Sequence, residues 1–91
     1  DINGIHKFAG EHYHSLYARV HGLKTVSLRL TNTFGPRQLI SHARQGFMGW
    51  FMNRAVKGEK IEVFGDGKQR RDFTYVDDVV SAFLASAVTQ E

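Results

Sequence analysis

The chain has 91 residues, of which 42% are hydrophobic and 12% aromatic, and it carries a formal net charge of +3. This composition predicts a single small globular domain, residues 1–91, and excludes a disordered chain. The absence of cysteines and of any apolar run of about 18 residues excludes a disulfide framework, a thiolate metal site and a membrane-spanning helix.

The first predicted element is an amphipathic helix from Ile5 to His21. Its apolar residues recur at spacings of three and four, which places them on one face. Asp1 or Asn3 can cap its start, and Gly22 suits the left-handed position after its end. Because the chain begins at Asp1 rather than Met and opens directly in helical sequence, we expect a segment of a longer protein. We also expect no signal peptide and a cytoplasmic location.

Two predicted strands flank a second predicted helix. Thr25 to Leu30 alternates apolar and polar side chains and predicts a strand, and Gly35-Pro36 then breaks the regular structure. A polar loop over 37–45 leads into a helix from Gly46 to Lys57, and Ile61 to Phe64 predicts a short strand. A helix, a short link and a strand make half of a crossover unit, so a parallel sheet is expected.

The last predicted elements are a turn, a third short strand and a third helix. Gly65-Asp66-Gly67 predicts the turn, and Arg71 to Val76 can form the strand. Asp77 and Asp78 begin a helix that runs to about Val88, because acidic residues suit the positive end of the helix dipole. The sequence therefore predicts an α/β fold with roughly three helices and two to three short strands.

Three side chains are candidates for binding an anion, which the basic net charge also favours. Arg71 follows a glycine-rich turn, and a guanidinium binds phosphate through two parallel hydrogen bonds. The structural alternative is an ion pair with Asp72 or Asp78. Asn32 follows the first predicted strand, where ligands bind in open α/β sheets, or it bonds its own backbone in a turn. Lys7 lies in the first turns of the first helix and, considered alone, is a solvated lysine.

Two other chemistries are weaker alternatives. His6, His12 and His14 invite a metal site, but His12 and His14 are two residues apart and do not face the same way on a helix. We therefore expect no metal site. The basic and aromatic residues interleaved from Lys68 to Tyr75 can bind a nucleic-acid strand by stacking, although a second aromatic platform is lacking.

Four stretches of the sequence, in this order, resemble a known family. They are Asn-Gly-Ile-His-Lys-Phe-Ala-Gly-Glu (3–11), Leu-Arg-Leu-Thr-Asn-Thr-Phe-Gly-Pro-Arg (28–37), Val-Phe-Gly-Asp-Gly (63–67) and Gln-Arg-Arg-Asp-Phe-Thr-Tyr-Val-Asp-Asp (69–78). Their order and spacing are similar to those of the extended short-chain dehydrogenases, and within them to the NAD-dependent nucleotide-sugar epimerases and dehydratases. The resemblance implies a partial Rossmann-like domain. It runs from the family's Tyr-x-x-x-Lys helix to the start of the substrate-binding part.

The resemblance also implies roles for single residues. Lys7 matches the lysine that holds the nicotinamide ribose, and Asn32 and Arg71 match residues that contact the substrate's diphosphate. Asp78 matches an aspartate at a helix start, with a structural role. Asn3 stands where the family has its catalytic tyrosine, and an amide has no titratable proton near neutral pH.

The Gly-rich dinucleotide fingerprint of the family is absent from this sequence. The resemblance therefore implies a chain that keeps part of a nucleoside-diphosphate-sugar site. We expect it to bind no NAD by itself and to be inactive as this chain alone.

A further hypothesis is a small self-associating module without catalysis. Without its partner half, the first predicted strand keeps an open edge, which favours pairing with another chain. Large apolar side chains, among them Phe8, Tyr13, Tyr17 and Trp50, are also left uncovered. We therefore expect a homo-oligomer, with domain swapping as one route.

Overall fold

In the residues that the computed structural model describes, 1–41 and 46–89, three helices accompany a two-stranded parallel sheet. The elements in chain order are α1 (Ile2–His21), β1 (Asn32–Phe34), α2 (Phe47–Val56), β2 (Phe73–Tyr75) and α3 (Val76–Val88). Asn32 lies opposite Phe73 in the sheet, and Phe34 lies opposite Tyr75. The predicted α/β class, with three helices and parallel strands, is therefore confirmed. No helix in the described ranges is long and apolar enough to cross a membrane.

The chain divides into two compact units. The first contains Asp1–Arg29 and Ala82–Glu91, and the second contains Leu30–Ser81. The first unit thus holds α1 and the second half of α3. The second unit holds the sheet, α2 and the first turns of α3.

Both ends of α1 follow from local sequence. The Asp1 carboxylate accepts hydrogen bonds from the backbone N–H groups of Asn3 (2.6 Å) and Gly4 (3.4 Å), which otherwise have no partner in the first turn. Gly22 adopts a left-handed conformation with φ 65° and donates its N–H to the Ala18 carbonyl at 3.1 Å. These contacts confirm the predicted caps, and Asp1 rather than Asn3 is the N-cap.

The predicted strand from Thr25 to Leu30 is wrong, because β1 begins later, at Asn32. The polar side chains that alternate along this segment form hydrogen bonds to α1, and the backbone of the segment pairs with no strand in the described part of the chain. The Thr25 hydroxyl donates to the His14 carbonyl (3.4 Å), and Arg29 Nη2 donates to the Glu11 carboxylate (2.7 Å). A strand needs another backbone beside it, and in the described part of the chain that partner reaches only residues 32–34.

The predicted strand from Ile61 to Phe64 is also wrong, since these residues have no strand partner among those described. Ile61 is 37% exposed and Val63 55% exposed. The turn that follows is confirmed. Gly65 and Gly67 have positive φ values of 85° and 71°, and the Lys68 N–H donates to the Asp66 side chain at 3.0 Å.

Helix α2 lies within the predicted range, and it ends where Gly58 takes a positive φ of 67°. The loop predicted before it extends into residues 42–45, which lie outside the described residues. Gly49 and Asn53, one helical turn apart, are buried. A Cβ built on Gly49 would lie 3.1 Å from Ile40 Cγ2, so the chain before α2 passes close over this face.

Aromatic rings connect the sheet of the second unit to α2. Phe34 lies 6.4 Å from Phe73 and 5.5 Å from Tyr75 between ring centroids, and Phe47 lies 5.9 Å from Phe73. Edge and tilted ring pairs of this kind contribute about 0.5–1.5 kcal/mol each beyond the area they bury. Val79, at 8% exposure, is the one buried hydrophobic residue in the described ranges.

The end of β1 meets the start of α3 without room for a side chain on Gly35. A Cβ built there would lie 3.0 Å from Val76 Cβ and closer still to Val76 Cγ1. Gly35 does not have a positive φ, so this close approach, rather than backbone conformation, accounts for glycine here.

The large apolar residues of α1 are exposed as predicted. Phe8, Tyr13 and Tyr17 keep 54%, 63% and 48% of their surface in contact with solvent. Trp50, which the sequence grouped with them, is instead half-buried in the second unit.

Candidate functional site

The two residues that match the family's catalytic pair lie on α1 in the first unit. Asn3 and Lys7 are four residues apart in a continuous helix, which places them on the same face. Both are exposed. The Asn3 backbone N–H donates to the Asp1 carboxylate. The Asn3 side chain is an amide, which can donate and accept hydrogen bonds but cannot release a proton near neutral pH.

Asn32 opens β1, whereas the sequence predicted it just beyond the end of a strand. Its backbone N–H and its side-chain Nδ2 both donate to the carbonyl oxygen of Asp72, at 3.2 Å and 3.1 Å. Two hydrogen bonds to one carbonyl fix the start of β1 against the residue that precedes β2. Asn32 therefore anchors the segment that carries Arg71, and its side-chain oxygen is left available as an acceptor.

A cavity of about 280 Å³ lies beside this anchor in the second unit. Asn32, Phe34 and Phe73 line its sheet side, and Gln38, Gly46 and Phe47 line the side toward the start of α2. Arg71 is not among its lining residues. The two side chains assigned to one diphosphate by resemblance thus lie on different cavities of the same unit.

Arg71 lies on a larger cavity, of about 700 Å³, also within the second unit. Its Nη1 donates to the Arg70 carbonyl at 3.1 Å. With its amide oxygen turned toward the guanidinium, Gln69 accepts from Nη1 at 3.0 Å and also from Nη2. Neither Asp72 nor Asp78 lies within ion-pairing distance of Arg71 in the part of the structure described. The guanidinium is therefore oriented by neutral acceptors rather than by a carboxylate.

Two segments line the larger cavity: α2, whose rings are called its aromatic side, and the chain from Lys60 to Arg71. Phe47, Trp50 and Phe51 of α2 form the aromatic side. Arg54, Lys60, Glu62 and Arg71 contribute charges, and the remaining lining residues are Val63, Phe64, Gly67 and Gln69. Three cationic side chains against one carboxylate give a net positive lining, which favours an anionic ligand with a flat apolar part.

Asp78 lies in the first turn of α3, beside Asp77. A negative charge at this position is stabilised by the positive end of the helix dipole. This placement is compatible with the structural role that the resemblance implies for Asp78.

The ion pair between Glu11 and Arg29 lies in the first unit, where neither residue lines the two cavities. Hydrogen bonds from Arg29 hold the pKa of Glu11 below its ordinary value, and the Glu11 carboxylate raises the pKa of Arg29. The pair fastens the segment after α1 to that helix.

Sequence reasoning missed the aromatic side of the larger cavity and the role of Arg54. Helical spacing places Phe47, Trp50 and Phe51 on an apolar face of α2, but it does not indicate what covers that face. Arg54 follows Trp50 by four residues, a spacing that brings the two side chains together on a helix.

Comparisons with known proteins agree with the order of the motifs. The model of the NAD dependent epimerase/dehydratase family matches residues 4–91. A Methanocaldococcus jannaschii protein provisionally named UDP-glucose 4-epimerase is 40% identical over 81 residues, covering 89% of this chain and 26% of the relative. The UDP-glucose 4-epimerase of Mycolicibacterium smegmatis is 37% identical over 78 residues, which cover 86% of this chain and 25% of the relative. The CDP-paratose 2-epimerase of Salmonella typhi is 34% identical over 88 residues, which cover 91% of this chain and 26% of the relative. The chain thus spans about a quarter of the length of the curated relatives it matches.

Proposed function

Because the chain belongs to the NAD dependent epimerase/dehydratase family, we propose that its second unit carries part of a nucleoside-diphosphate-sugar site. The observation that supports this most directly is the cavity of about 700 Å³ that is lined both by three aromatic rings of α2 and by Arg71. Its volume lies in the range of small-molecule sites, about 300–1,000 Å³.

Different residues of the cavity suit the diphosphate and the nucleobase of such a ligand. A guanidinium held by Gln69 and the Arg70 carbonyl presents donors to the diphosphate. The rings of α2 offer flat apolar surface to a nucleobase, and base–aromatic stacking contributes about 1–3 kcal/mol per base. Asn32 acts indirectly in this proposal, because its bonds to Asp72 fix the backbone next to Arg71.

Calorimetric titration of the 91-residue chain with UDP-glucose and with CDP- and dTDP-sugars tests the proposal. Replacing Arg71→Gln is expected to weaken binding at least tenfold, because a hydrogen bond to a charged group contributes about 1.5–3 kcal/mol and 1.4 kcal/mol is tenfold. Arg70→Gln is the matched control, with the same charge change at a neighbour that does not line the cavity. No heat at millimolar ligand, or equal losses in the two variants, would contradict the proposal.

NAD is the cofactor that the family name implies, and the described residues do not fit its pyrophosphate. A dinucleotide cradle needs a glycine-rich turn between a strand and a helix. Gly35 and Gly46 lie between β1 and α2 but are eleven residues apart, so they do not make one tight turn. Gly22 and Gly58 follow helices, and Gly65 and Gly67 form a turn that precedes β2 rather than a helix. By family analogy, Lys7 is the residue positioned to hold the nicotinamide ribose.

We therefore propose that the chain by itself binds no NAD and does not catalyse epimerisation or dehydration. Asn3 in the tyrosine position supports this, because the reaction's acid/base must exchange a proton. Mixing the chain with NAD and UDP-glucose, following the nucleotide sugar by chromatography and recording the absorbance of reduced cofactor tests it, because epimerisation leaves no net reduced NAD. Conversion of the nucleotide sugar or formation of reduced NAD by the chain alone would overturn the proposal.

We also propose that the chain self-associates and resides in the cytoplasm. The first part is supported by the exposure of Phe8, Tyr13 and Tyr17 on α1. Sedimentation velocity at micromolar concentration should show an oligomer, and Phe8→Ser should shift the distribution toward monomer. Val56→Ser is the control, because Val56 is 88% exposed at the end of another helix. A compact monomer for the unmodified chain would contradict self-association.

A further inference from the structure

Arg54 makes three different contacts around the rim of the larger cavity. Its guanidinium carbon lies 5.2 Å from the centroid of the Trp50 ring. Its Nε donates to the Lys60 carbonyl at 2.5 Å, and its Nη1 lies 3.3 Å from the Glu59 carboxylate. Its side chain is 29% exposed, so these contacts form at a partly covered position.

These contacts join the two sides of the cavity. Trp50 belongs to the aromatic side on α2, and Lys60 belongs to the chain that continues to Glu62, Val63 and Phe64, which also line the cavity. Backbone hydrogen bonds also tie the end of α2 to residues 58 and 59, but they stop before residue 60. The Arg54 side chain therefore extends the connection between α2 and the following chain by one residue, to Lys60, the first residue of that chain that lines the cavity.

We propose that Arg54 is a positioning residue that sets the distance between the aromatic side and the 60–64 segment, and that it thereby controls recognition of the base half of a nucleoside diphosphate. The inference rests on the proposed function, because it takes the cavity as the site of that ligand. It assigns different tasks to two arginines: Arg71 binds the diphosphate, and Arg54 holds the surface on which the base stacks.

A lysine cannot replace Arg54 in this task. A guanidinium is planar, so it can lie over the indole while its edge donates to a carbonyl and a carboxylate at fixed angles. An ammonium is a compact, strongly hydrated charge without that fork. Arg54→Lys keeps the charge and most of the length, and it should still lose the alignment of Trp50 with Lys60.

Binding of UDP and of inorganic pyrophosphate to the full chain separates positioning from a general loss of structure. Arg54→Lys and Arg54→Gln are expected to bind UDP roughly five- to tenfold more weakly than the unmodified chain. Their affinity for pyrophosphate should stay within about twofold, since Arg71 is untouched. Arg19→Lys, on α1, is the matched control and should change neither. Equal loss for both ligands, or no loss for UDP, would overturn the inference.

Trp50 supplies a readout that needs no ligand, because it is the only tryptophan in the chain. Removing the guanidinium from its ring should raise the acrylamide quenching constant of its fluorescence in Arg54→Lys and Arg54→Gln. Glu59→Gln removes the ion pair alone, leaves the ring contact, and should give a smaller increase. Unchanged quenching in all three variants would refute the positioning role, even if the unmodified chain bound neither ligand and the proposed function itself failed.

Discussion

Replacing Gly35→Ala should destabilise the second unit through a steric contact that the structure locates at one side chain. The added Cβ would meet Val76 Cβ at 3.0 Å and Tyr75 Cε2 at 3.6 Å, with Val76 Cγ1 nearer than either. Overpacking of this kind costs about 1–3 kcal/mol. Alanine also reduces the conformational entropy of the unfolded chain, which stabilises the fold by about 0.4–1 kcal/mol. Backbone strain does not cancel this gain, because Gly35 does not have a positive φ. Taken at the centres of these two ranges, the net loss in free energy of unfolding is about 1.3 kcal/mol.

Urea unfolding of the 91-residue chain, followed by circular dichroism, measures this loss. Gly10→Ala is the matched control, because nothing lies within 4 Å of a Cβ built at Gly10 in α1. That substitution should stabilise the chain by up to about 1 kcal/mol, through helix propensity alone. Val76→Ala in the Gly35→Ala background removes Cγ1, so the two substitutions should cost less together than their sum. A Gly35→Ala chain as stable as the unmodified one, or strictly additive losses, would refute the steric reasoning.

Three further substitutions test other contacts. Asn32→Ala removes the Nδ2 bond to Asp72 and should cost about 1 kcal/mol in urea unfolding, and an unchanged midpoint would show that the bond contributes nothing. Arg37→Gly should raise the free energy of unfolding by about 1 kcal/mol, because Arg37 has a left-handed φ of 69°, and a loss of stability would show that its side chain matters more than this strain. Arg29 lowers the folded-state pKa of Glu11, so the stability from this pair should be complete above the ordinary value of 4.5 and disappear as the pH falls through the lower folded value. Glu11→Gln should remove that part of the acid-side slope in a pH series of unfolding curves, and an identical slope would exclude the pair as its source.

The helices could be predicted from the sequence because their signals are local. The carboxylate of Asp1, the left-handed glycine at Gly22 and the glycine at Gly58 all act within one helical turn of the element they bound. Predicted helix positions therefore agree with the structure to within a few residues. The same holds for the turn at residues 65–67, whose conformation depends on its own glycines.

The strands could not be placed in the same way, because a strand is defined by its partner. The side-chain patterns at residues 25–30 and 61–64 are typical of strands. Pairing nevertheless occurs between Asn32–Phe34 and Phe73–Tyr75. Two hydrogen bonds from Asn32 to Asp72 fix this register, and no local pattern indicates that the two residues meet.

The candidate site shows the same division between local and distant contacts. Arg71 could be proposed from its own neighbourhood, since a turn and a short strand orient it. The pair of Trp50 and Arg54 follows from helical spacing, but its contact with Lys60 could not be predicted, because it requires the chain to leave α2 and turn back beside it. The family resemblance supplied residue roles without this geometry, and it grouped Asn32 with Arg71, which line different cavities.

The parallel pairing of β1 with β2 has a consequence for how the chain folds during its synthesis. Asn32 and its partner Phe73 are far apart in sequence, and closing a loop of about 40 residues costs roughly 3 kcal/mol in chain entropy before any contact forms. At a synthesis rate of roughly 5–20 residues per second, β1 waits several seconds before β2 has been made. Throughout that interval Phe34 has neither Phe73 nor Tyr75 to pack against. Helices α1 and α2 can form as they emerge, whereas the sheet and the anchored orientation of Arg71 arise together, late, and in a single step.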